Sequence, residues 1–182
     1  MSFDLSADYF QLFGLPVSFS VDTATLMQRY REIQQSVHPD RFANGSEQER
    51  RLSMQYATHI NEALRVLKDP LARARYLLEL KGVQWDDEQS TLSDPEFLMQ
   101  QMELRESLSE VNEQTDPLDA VADILNEVNS LIGKNSQVLE SLLSSQQAED
   151  LEKAKHQVRK MQFLRKMQTE AESLEARLED EM

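Results

Sequence analysis

Apolar residues recur every three or four positions through most of the chain, which places them on one face of an α-helix. In the first half this pattern predicts helices over about 22–37, 46–68 and 70–81, after a short apolar segment at 9–15. A loop at 38–45 separates the first two helices. Their predicted inward positions are Leu26, Tyr30, Ile33 and Val37, then Ala57, Ile60, Leu64 and Leu67.

The second half is predicted to hold three long helices, over about 95–114, 117–144 and 147–180. Gly133 falls inside the second of them, but the apolar spacing keeps its phase across that glycine, so one continuous helix is expected. Long helices with short connections favour an antiparallel bundle. Their predicted inward positions are Val121, Ile124, Val128, Leu131, Val138 and Leu142, then Leu151, Ala154, Val158, Met161 and Leu178.

Three of these helices begin with the same dipeptide, Asp followed by Pro, at Asp69, Asp94 and Asp116. The Asp side chain can accept a hydrogen bond from a free N–H at the helix start, and Pro at the first helical position loses no hydrogen bond. Ser46 with Glu49 predicts a capping box at a fourth start. These signals fix the predicted boundaries.

The sequence therefore predicts an all-α chain in three parts. A helical domain covers 1–83, with an antiparallel hairpin and flanking short helices. A polar linker covers 84–94, and a three-helix bundle covers 95–182. The total of 182 residues suits one large domain or two small ones.

The composition limits the chemistry open to the chain. Cysteine is absent, which excludes disulfides, thiolate catalysis and cysteine-ligated metal or iron–sulfur centres. The first ten residues lack the basic and apolar regions of a leader peptide. No stretch approaches the roughly 18 apolar residues of a membrane span. We expect a cytoplasmic protein with no membrane contact, no metal and no cofactor.

Charge is unevenly distributed along the chain. Residues 1–80 carry 9 Lys or Arg and 10 Asp or Glu, whereas residues 81–182 carry 10 and 23. The acidic second half argues against nucleic acid and anionic membranes as partners. It favours a basic protein partner, and a merely solvated acidic surface is the alternative.

The tripeptide His38-Pro39-Asp40 lies in the loop between the first two long helices. Because Pro39 fixes one backbone angle and restricts the residue before it, the loop can present an imidazole and a carboxylate with little ordering cost. Arg29 and Arg31 precede it and can make charge-assisted contacts with an acidic surface. A catalytic dyad would need a nucleophile in a recognisable motif. A metal site would need ligand spacing that the other two histidines lack.

Residues 8–76 resemble the J domain of DnaJ-type co-chaperones. The motifs that carry the likeness are Asp8-Tyr9-Phe10-x-Leu12-Phe13-Gly14-Leu15, Tyr30-Arg31, His38-Pro39-Asp40-Arg41-Phe42, and Ile60-Asn61-Glu62-Ala63 with Leu67 and Asp69-Pro70. The resemblance implies that the loop docks on the ATPase domain of a DnaK-type chaperone and accelerates ATP hydrolysis there. It implies that the chain itself is not an enzyme.

The helix that follows Pro95 carries apolar residues on two faces. At about 100° per residue, Phe97, Gln101, Leu104, Leu108 and Val111 share the core stripe. An apolar patch flanked by acids on the opposite side predicts a partner site, and Met suits such a surface because it is flexible and polarizable. The patch comprises Leu98, Met99 and Met102 with Glu103, Glu106 and Glu110. Phe163 likewise lies off the apolar stripe of the last helix. Packing of the patch against another part of the chain is the alternative.

The run Phe97-Leu98-Met99-x-Gln101-Met102-Glu103-Leu104-Arg105-Glu106 resembles the start of the C-terminal domain of the HscB co-chaperone family. The likeness extends over essentially the whole chain, including Ala74-x-Tyr76-Leu77-Leu78 and Arg159-Lys160-x-x-Phe163-Leu164. Family members bind the iron–sulfur scaffold protein IscU and bring it to the specialised chaperone HscA. By position, the resemblance implies a scaffold-binding face of Leu98, Met99, Met102, Glu103, Glu106, Glu110 and Phe163.

Two departures from the family pattern mark where the resemblance is weaker. Met102 stands where Leu is expected, and Asn112–Asp123 is the least family-like stretch. The leading hypothesis is an adaptor co-chaperone for iron–sulfur cluster assembly. The alternatives are a J-domain co-chaperone with a different client and a structural helical protein in which the tripeptide arose by chance.

Overall fold

Helices form nearly all of the regular structure in a computed structural model of the protein, which describes residues 7–37, 46–85 and 94–181. Within those ranges there is no β-strand, so the predicted all-α class is confirmed. The chain divides into two compact units, Met1–Lys81 and Gly82–Met182. The helices are α1 Tyr9–Leu12, α2 Thr23–Val37, α3 Glu47–Lys68, α4 Pro70–Leu80, α5 Pro95–Ser109, a 3₁₀ turn Val111–Glu113, α6 Pro117–Ser144 and α7 Ala148–Asp180.

The helix starts lie where the capping signals predicted them. The carboxylates of Asp69, Asp94 and Asp116 each accept a backbone N–H three residues on, at 2.7, 3.0 and 3.2 Å. Ser46 and Glu49 form the predicted capping box, in which each side chain accepts the other residue's backbone N–H. Caps succeed as predictors because their partners lie within one helical turn.

The first unit is built around the paired helices α2 and α3. The hydroxyl of Tyr30 on α2 donates to the side-chain carbonyl of Asn61 on α3 at 2.9 Å. The short helix α1 is tied to α4, because the backbone N–H of Tyr9 donates to the hydroxyl of Tyr76 at 3.0 Å and their rings stack at 4.4 Å. The largest fully buried side chains of this unit are Phe10, Phe13, Leu26, Ile60, Leu67 and Leu78.

One buried cation fastens the junction of α3 and α4. The guanidinium of Arg73 donates to the backbone carbonyl of Leu67 at 2.5 Å and lies 5.2 Å over the ring of Phe19. Burial lowers the pKa of Arg73, an effect that nearby Asp69 opposes. Arg73 thus ties the end of α3 to the segment that precedes α2.

The buried face of α3 differs in part from the predicted one. Ile60 and Leu67 are buried as expected, but Ala57 and Leu64 are only half-buried. Since α3 contacts α1, α2 and α4, its buried surface is wider than a single stripe. The buried set on α3 is Ser53, Tyr56, Ile60, Ala63, Val66 and Leu67.

The second unit is the predicted three-helix bundle. Helices α6 and α7 run antiparallel across a three-residue connection, and α5 packs against both. Two polar contacts cross the α6–α7 seam: Gln168 donates to Asn129 at 2.7 Å, and Asn135 donates to Gln157 at 2.9 Å. The buried cluster where the helices meet comprises Leu104, Val111, Val121, Ile124, Val128, Leu164, Met167, Ala171 and Leu174.

Helix α5 ends at Ser109, five residues before the predicted end at 114. The chain then forms a 3₁₀ turn in which the backbone N–H of Glu113 donates to the carbonyl of Glu110 at 2.9 Å. This turn brings Val111 to full burial in the bundle core. Valine and asparagine are weak helix formers, so local propensity does not extend α5 through Val111 and Asn112. The packing of Val111 determines the conformation here instead.

The inward phase of α6 was wrong in its second half. Val138, predicted to face inward, is 42% exposed. The buried positions there are Asn135, Leu139 and Leu143. A straight helix drifts by about 20° per seven residues relative to a strict heptad, so the residue nearest the partner changes along a long helix. The helix does continue through Gly133, as predicted.

Candidate partner-binding surfaces

Helix α5 presents an apolar patch surrounded by acids on the side away from the bundle core. Leu98, Met99 and Met102 are 42%, 62% and 70% exposed. We call this surface the α5 face and define it as Leu98, Met99, Met102, Glu103, Glu106 and Glu110. All six are exposed in the structure. The opposite side of the helix buries Phe97 and Leu104 in the bundle.

Phe163 lies beside α5 and is not freely exposed. It is half-buried and packs against the core cluster of the bundle. Its ring meets the ring of Phe97 edge-on, with centroids 5.7 Å apart and an interplanar angle of 87°. The guanidinium of Arg105 lies 5.3 Å from the centroid of Phe163. Phe163 therefore borders α5 while also supporting its packing.

The start of α5 is attached to α7 by a polar contact that the sequence did not reveal. One carboxylate oxygen of Asp94 accepts the backbone N–H of Phe97 at 3.0 Å, and the other accepts a hydrogen bond from Lys160 Nζ at 2.5 Å. The same ammonium lies 5.1 Å from the ring centroid of Phe97. The hydrogen bond from Lys160 holds the pKa of the Asp94 carboxyl below its usual value.

A cleft of about 260 Å³ lies beneath the first turns of α5. Asn135 lines it from α6 and Val138 lies at its edge. The amide nitrogen of Asn135 donates to the backbone carbonyl and to the side-chain oxygen of Gln157, at 3.2 and 2.9 Å. These two acceptors fix the orientation of the Asn135 amide. Its own carbonyl oxygen has no hydrogen-bond partner within the described residues.

In the first unit, the two predicted arginines are exposed on α2 but do not form one cluster. Arg29 pairs with Glu32 at 3.3 Å, and Arg31 donates to the backbone carbonyl of Met27 at 3.2 Å. Residues two apart on a helix point to different sides. The tripeptide 38–40 lies outside the described residues, so its geometry relative to the arginines is still a prediction.

The described ranges contain neither a metal-binding cluster nor a membrane-spanning helix. Among those residues, no three His, Cys, Asp or Glu side chains are grouped so as to hold a metal ion. No helix there is both long and apolar enough to cross a membrane.

Known proteins resemble the chain along almost all of its length. Residues 93–172 match the family model described as the HSCB C-terminal oligomerisation domain. A co-chaperone HscB homologue of Shewanella halifaxensis is 45% identical over 173 residues, covering 95% of this chain and 99% of that protein. The homologue of Shewanella loihica is 43% identical over 168 residues, covering 92% and 97%.

Solved structures agree with the sequence relatives. Chaperone HscB from Vibrio cholerae superposes with a TM-score of 0.85 at 38% identity, covering 94% of this chain and 99% of that chain. The human co-chaperone HscB superposes with a TM-score of 0.84 at 31% identity, covering 94% and 84%. Its helical architecture and these likenesses define the protein, by class, as a co-chaperone. The chain belongs to the HscB family, whose known role is in iron–sulfur cluster assembly.

Proposed function

We propose that this protein is a two-ended adaptor for iron–sulfur cluster assembly. One end, at His38, Pro39 and Asp40 with Arg29 and Arg31, binds the DnaK-type chaperone HscA and stimulates its ATP hydrolysis. The other end, the α5 face with Phe163, binds the scaffold protein IscU. The adaptor brings the scaffold to the chaperone and performs no bond chemistry of its own.

The observation that carries the proposal is the exposure of Leu98, Met99 and Met102 side by side on α5. Fully burying a side chain of this size stabilises by about 1.5–3 kcal/mol, and each of these is already partly covered. Completing the burial of all three would contribute on the order of 3 kcal/mol, or about 100-fold in affinity. That is a large share of the binding free energy of a protein complex of moderate affinity.

The charges around the patch favour a basic partner over a second copy of this chain. Glu103, Glu106 and Glu110 are exposed at the margin of the patch. Two copies meeting through this face would bring these acids together, and like charges across an interface are unfavourable. A partner that carries an apolar patch with basic residues around it would gain binding free energy from apolar burial and from charge attraction.

The arrangement of the chain suits an adaptor. We propose that residues 1–83 form the J domain, 84–94 the linker and 95–182 the scaffold-binding bundle. When one chain binds both partners, each is held at a raised effective concentration near the other. The absence of cysteine suits work beside an iron–sulfur scaffold in the reducing cytoplasm, where we propose that the protein acts.

The chaperone end is tested by an ATPase assay with HscA. We expect the wild type to raise the hydrolysis rate, and to raise it further when IscU is present. His38→Gln and Asp40→Asn should each remove the stimulation while leaving IscU affinity unchanged. Full stimulation by either variant would show that the tripeptide is not the docking element.

The scaffold end is tested by calorimetry with IscU. The combined variant Leu98→Ala, Met102→Ala and Phe163→Ala should bind at least tenfold more weakly, since interface contributions concentrate in a few side chains. Met54→Ala is the control for truncating an exposed methionine, because Met54 in the first unit is 62% exposed and Met102 is 70% exposed. The combined variant should stimulate HscA normally when IscU is absent. If the wild type stimulates HscA but does not bind IscU, the protein serves a different client.

A further inference from the structure

Helix α5 exposes its outer face and is held to the bundle by few buried side chains. Of its fifteen residues, only Phe97 and Leu104 are buried. The cleft of about 260 Å³ lies under its first turns, so apolar packing there is incomplete. Leu98 and Met99 lie in those same turns. Whatever fixes the start of α5 therefore controls where two of the three apolar side chains of the patch point.

A set of five side chains joins α5 to α7 at this point, and we call it the clasp: Asp94, Phe97, Arg105, Lys160 and Phe163. Asp94 links the two helices through the backbone N–H of Phe97 at 3.0 Å and through Lys160 Nζ at 2.5 Å. The side chains of Asp94 and Lys160 are 33% and 22% exposed. The pair is therefore less screened by solvent than an ordinary surface ion pair.

The aromatic part of the clasp lies between two cations. Phe97 and Phe163 meet edge-on at 5.7 Å. Lys160 lies 5.1 Å from the centroid of Phe97, and Arg105 lies 5.3 Å from that of Phe163. Both distances are within the range in which a cation is attracted to an aromatic ring. Each cation thus connects α5 with α7, Lys160 through Phe97 and Arg105 through Phe163.

We propose that Lys160 is a positioning residue for partner binding. Through Asp94 and Phe97 it holds the first turns of α5 against α7, so that Leu98, Met99 and Met102 project together as one surface. A surface held in its binding conformation loses less conformational entropy on association. This inference rests on the proposed function, because it assigns the clasp to the surface that would bind the scaffold.

Two substitutions remove the ion pair between Asp94 and Lys160 and leave a capping oxygen at the start of α5. Lys160→Met removes the ammonium and keeps an aliphatic side chain. Asp94→Asn keeps an oxygen that can cap α5 and removes the charge. Lys166→Met is the control, because Lys166 lies on the same helix, is 69% exposed and pairs with Glu170 at 3.7 Å. Lys160→Arg should restore the contact with Asp94.

Lys160→Met and Asp94→Asn change the net charge in opposite directions. Long-range charge attraction therefore cannot explain a loss of affinity in both variants. Lys160→Met makes the bundle more acidic, and Asp94→Asn makes it less acidic. Long-range charge alone would strengthen the binding of a basic partner in one variant and weaken it in the other. The clasp predicts weaker binding in both.

The readouts are amide hydrogen exchange across α5 in the free protein and IscU affinity by calorimetry. For each single variant we expect about three- to tenfold faster exchange in the first turns of α5 and a similar loss of affinity. The double variant should bind no more weakly than Lys160→Met alone, because that substitution already removes the ion pair. Lys166→Met should match the wild type, and stimulation of HscA without IscU should be unchanged throughout.

Two results would overturn the inference. One is unchanged α5 exchange in both single variants, which would show that the clasp does not hold the helix. The other is faster exchange with wild-type IscU affinity, which would show that holding the helix is irrelevant to recognition. If wild-type protein fails to bind IscU, the proposed function falls, whereas the exchange comparison still decides whether the clasp fixes α5.

Discussion

Replacing Phe163 and Met102 by alanine, one at a time, should separate stability from recognition. Both residues were assigned to the same partner-binding face from the sequence. Met102 is 70% exposed, whereas Phe163 is half-buried against the core cluster. Phe163→Ala should therefore weaken both folding and partner binding. Met102→Ala should weaken partner binding alone.

The magnitude for Phe163 follows from its contacts. Truncating a fully buried Phe to Ala costs about 3–5 kcal/mol, and half of that suits a half-buried ring. Loss of the edge-on pair with Phe97 adds about 0.5–1.5 kcal/mol, and loss of the Arg105 contact adds about 0.5–1 kcal/mol. The total is roughly 2.5–5 kcal/mol of unfolding free energy for the bundle. For Met102 the expected change in unfolding free energy is below about 0.5 kcal/mol.

Urea denaturation followed by circular dichroism measures the first effect, and calorimetry with IscU measures the second. With an m-value of about 2 kcal/mol/M, Phe163→Ala should lower the unfolding midpoint by roughly 1–2.5 M. A wild-type midpoint for Phe163→Ala would refute the packing described above. A Met102→Ala midpoint as low as that of Phe163→Ala would contradict the exposed placement of Met102.

Three further predictions concern the folded state. Gly133→Ala should raise the unfolding free energy by about 0.5–1 kcal/mol, because Gly133 is helical and a Cβ there meets nothing within 4 Å. Gly82→Ala should lower the unfolding free energy, because Gly82 has a φ of +79°. In the folded state the pKa of the Asp94 carboxyl lies below its ordinary value of 3.8. Its contribution to the free energy of unfolding is therefore present above pH 3.8 and is lost as the pH falls through the folded-state pKa. The urea midpoints of wild type and Asp94→Asn should then converge below pH 3.8. Asn135→Asp should cost about 2–4 kcal/mol in urea unfolding, because it places a carboxylate against the two acceptor oxygens of Gln157; an unchanged midpoint would contradict the buried placement of Asn135.

Local sequence signals determined where four of the helices of this protein begin. The caps at Asp69, Asp94 and Asp116 and the box at Ser46 act on N–H groups at most three residues away, so no tertiary information is needed to locate them. The helix through Gly133 was predictable for a similar reason, because apolar residues recur at helical spacing on both sides of it.

Periodicity also predicted which side of α5 faces the solvent. Phe97 and Leu104 are buried, and Leu98, Met99 and Met102 are exposed, as the projection indicated. A helix period is a property of the segment itself, so its two faces can be separated from the sequence. The binding roles of those residues, and of His38, Pro39 and Asp40, are predictions that the tests above address.

Only the tertiary structure decided how the helices meet. The exposure of Val138, the burial of Asn135 and the end of α5 before Val111 depend on the line along which each helix touches its neighbours. The contact of Lys160 with Asp94 and the half-burial of Phe163 depend on the same geometry. The sequence determines each helix and its apolar side, because those are set within a few residues. Contacts between distant residues arise from the mutual packing of whole helices, which no local pattern encodes.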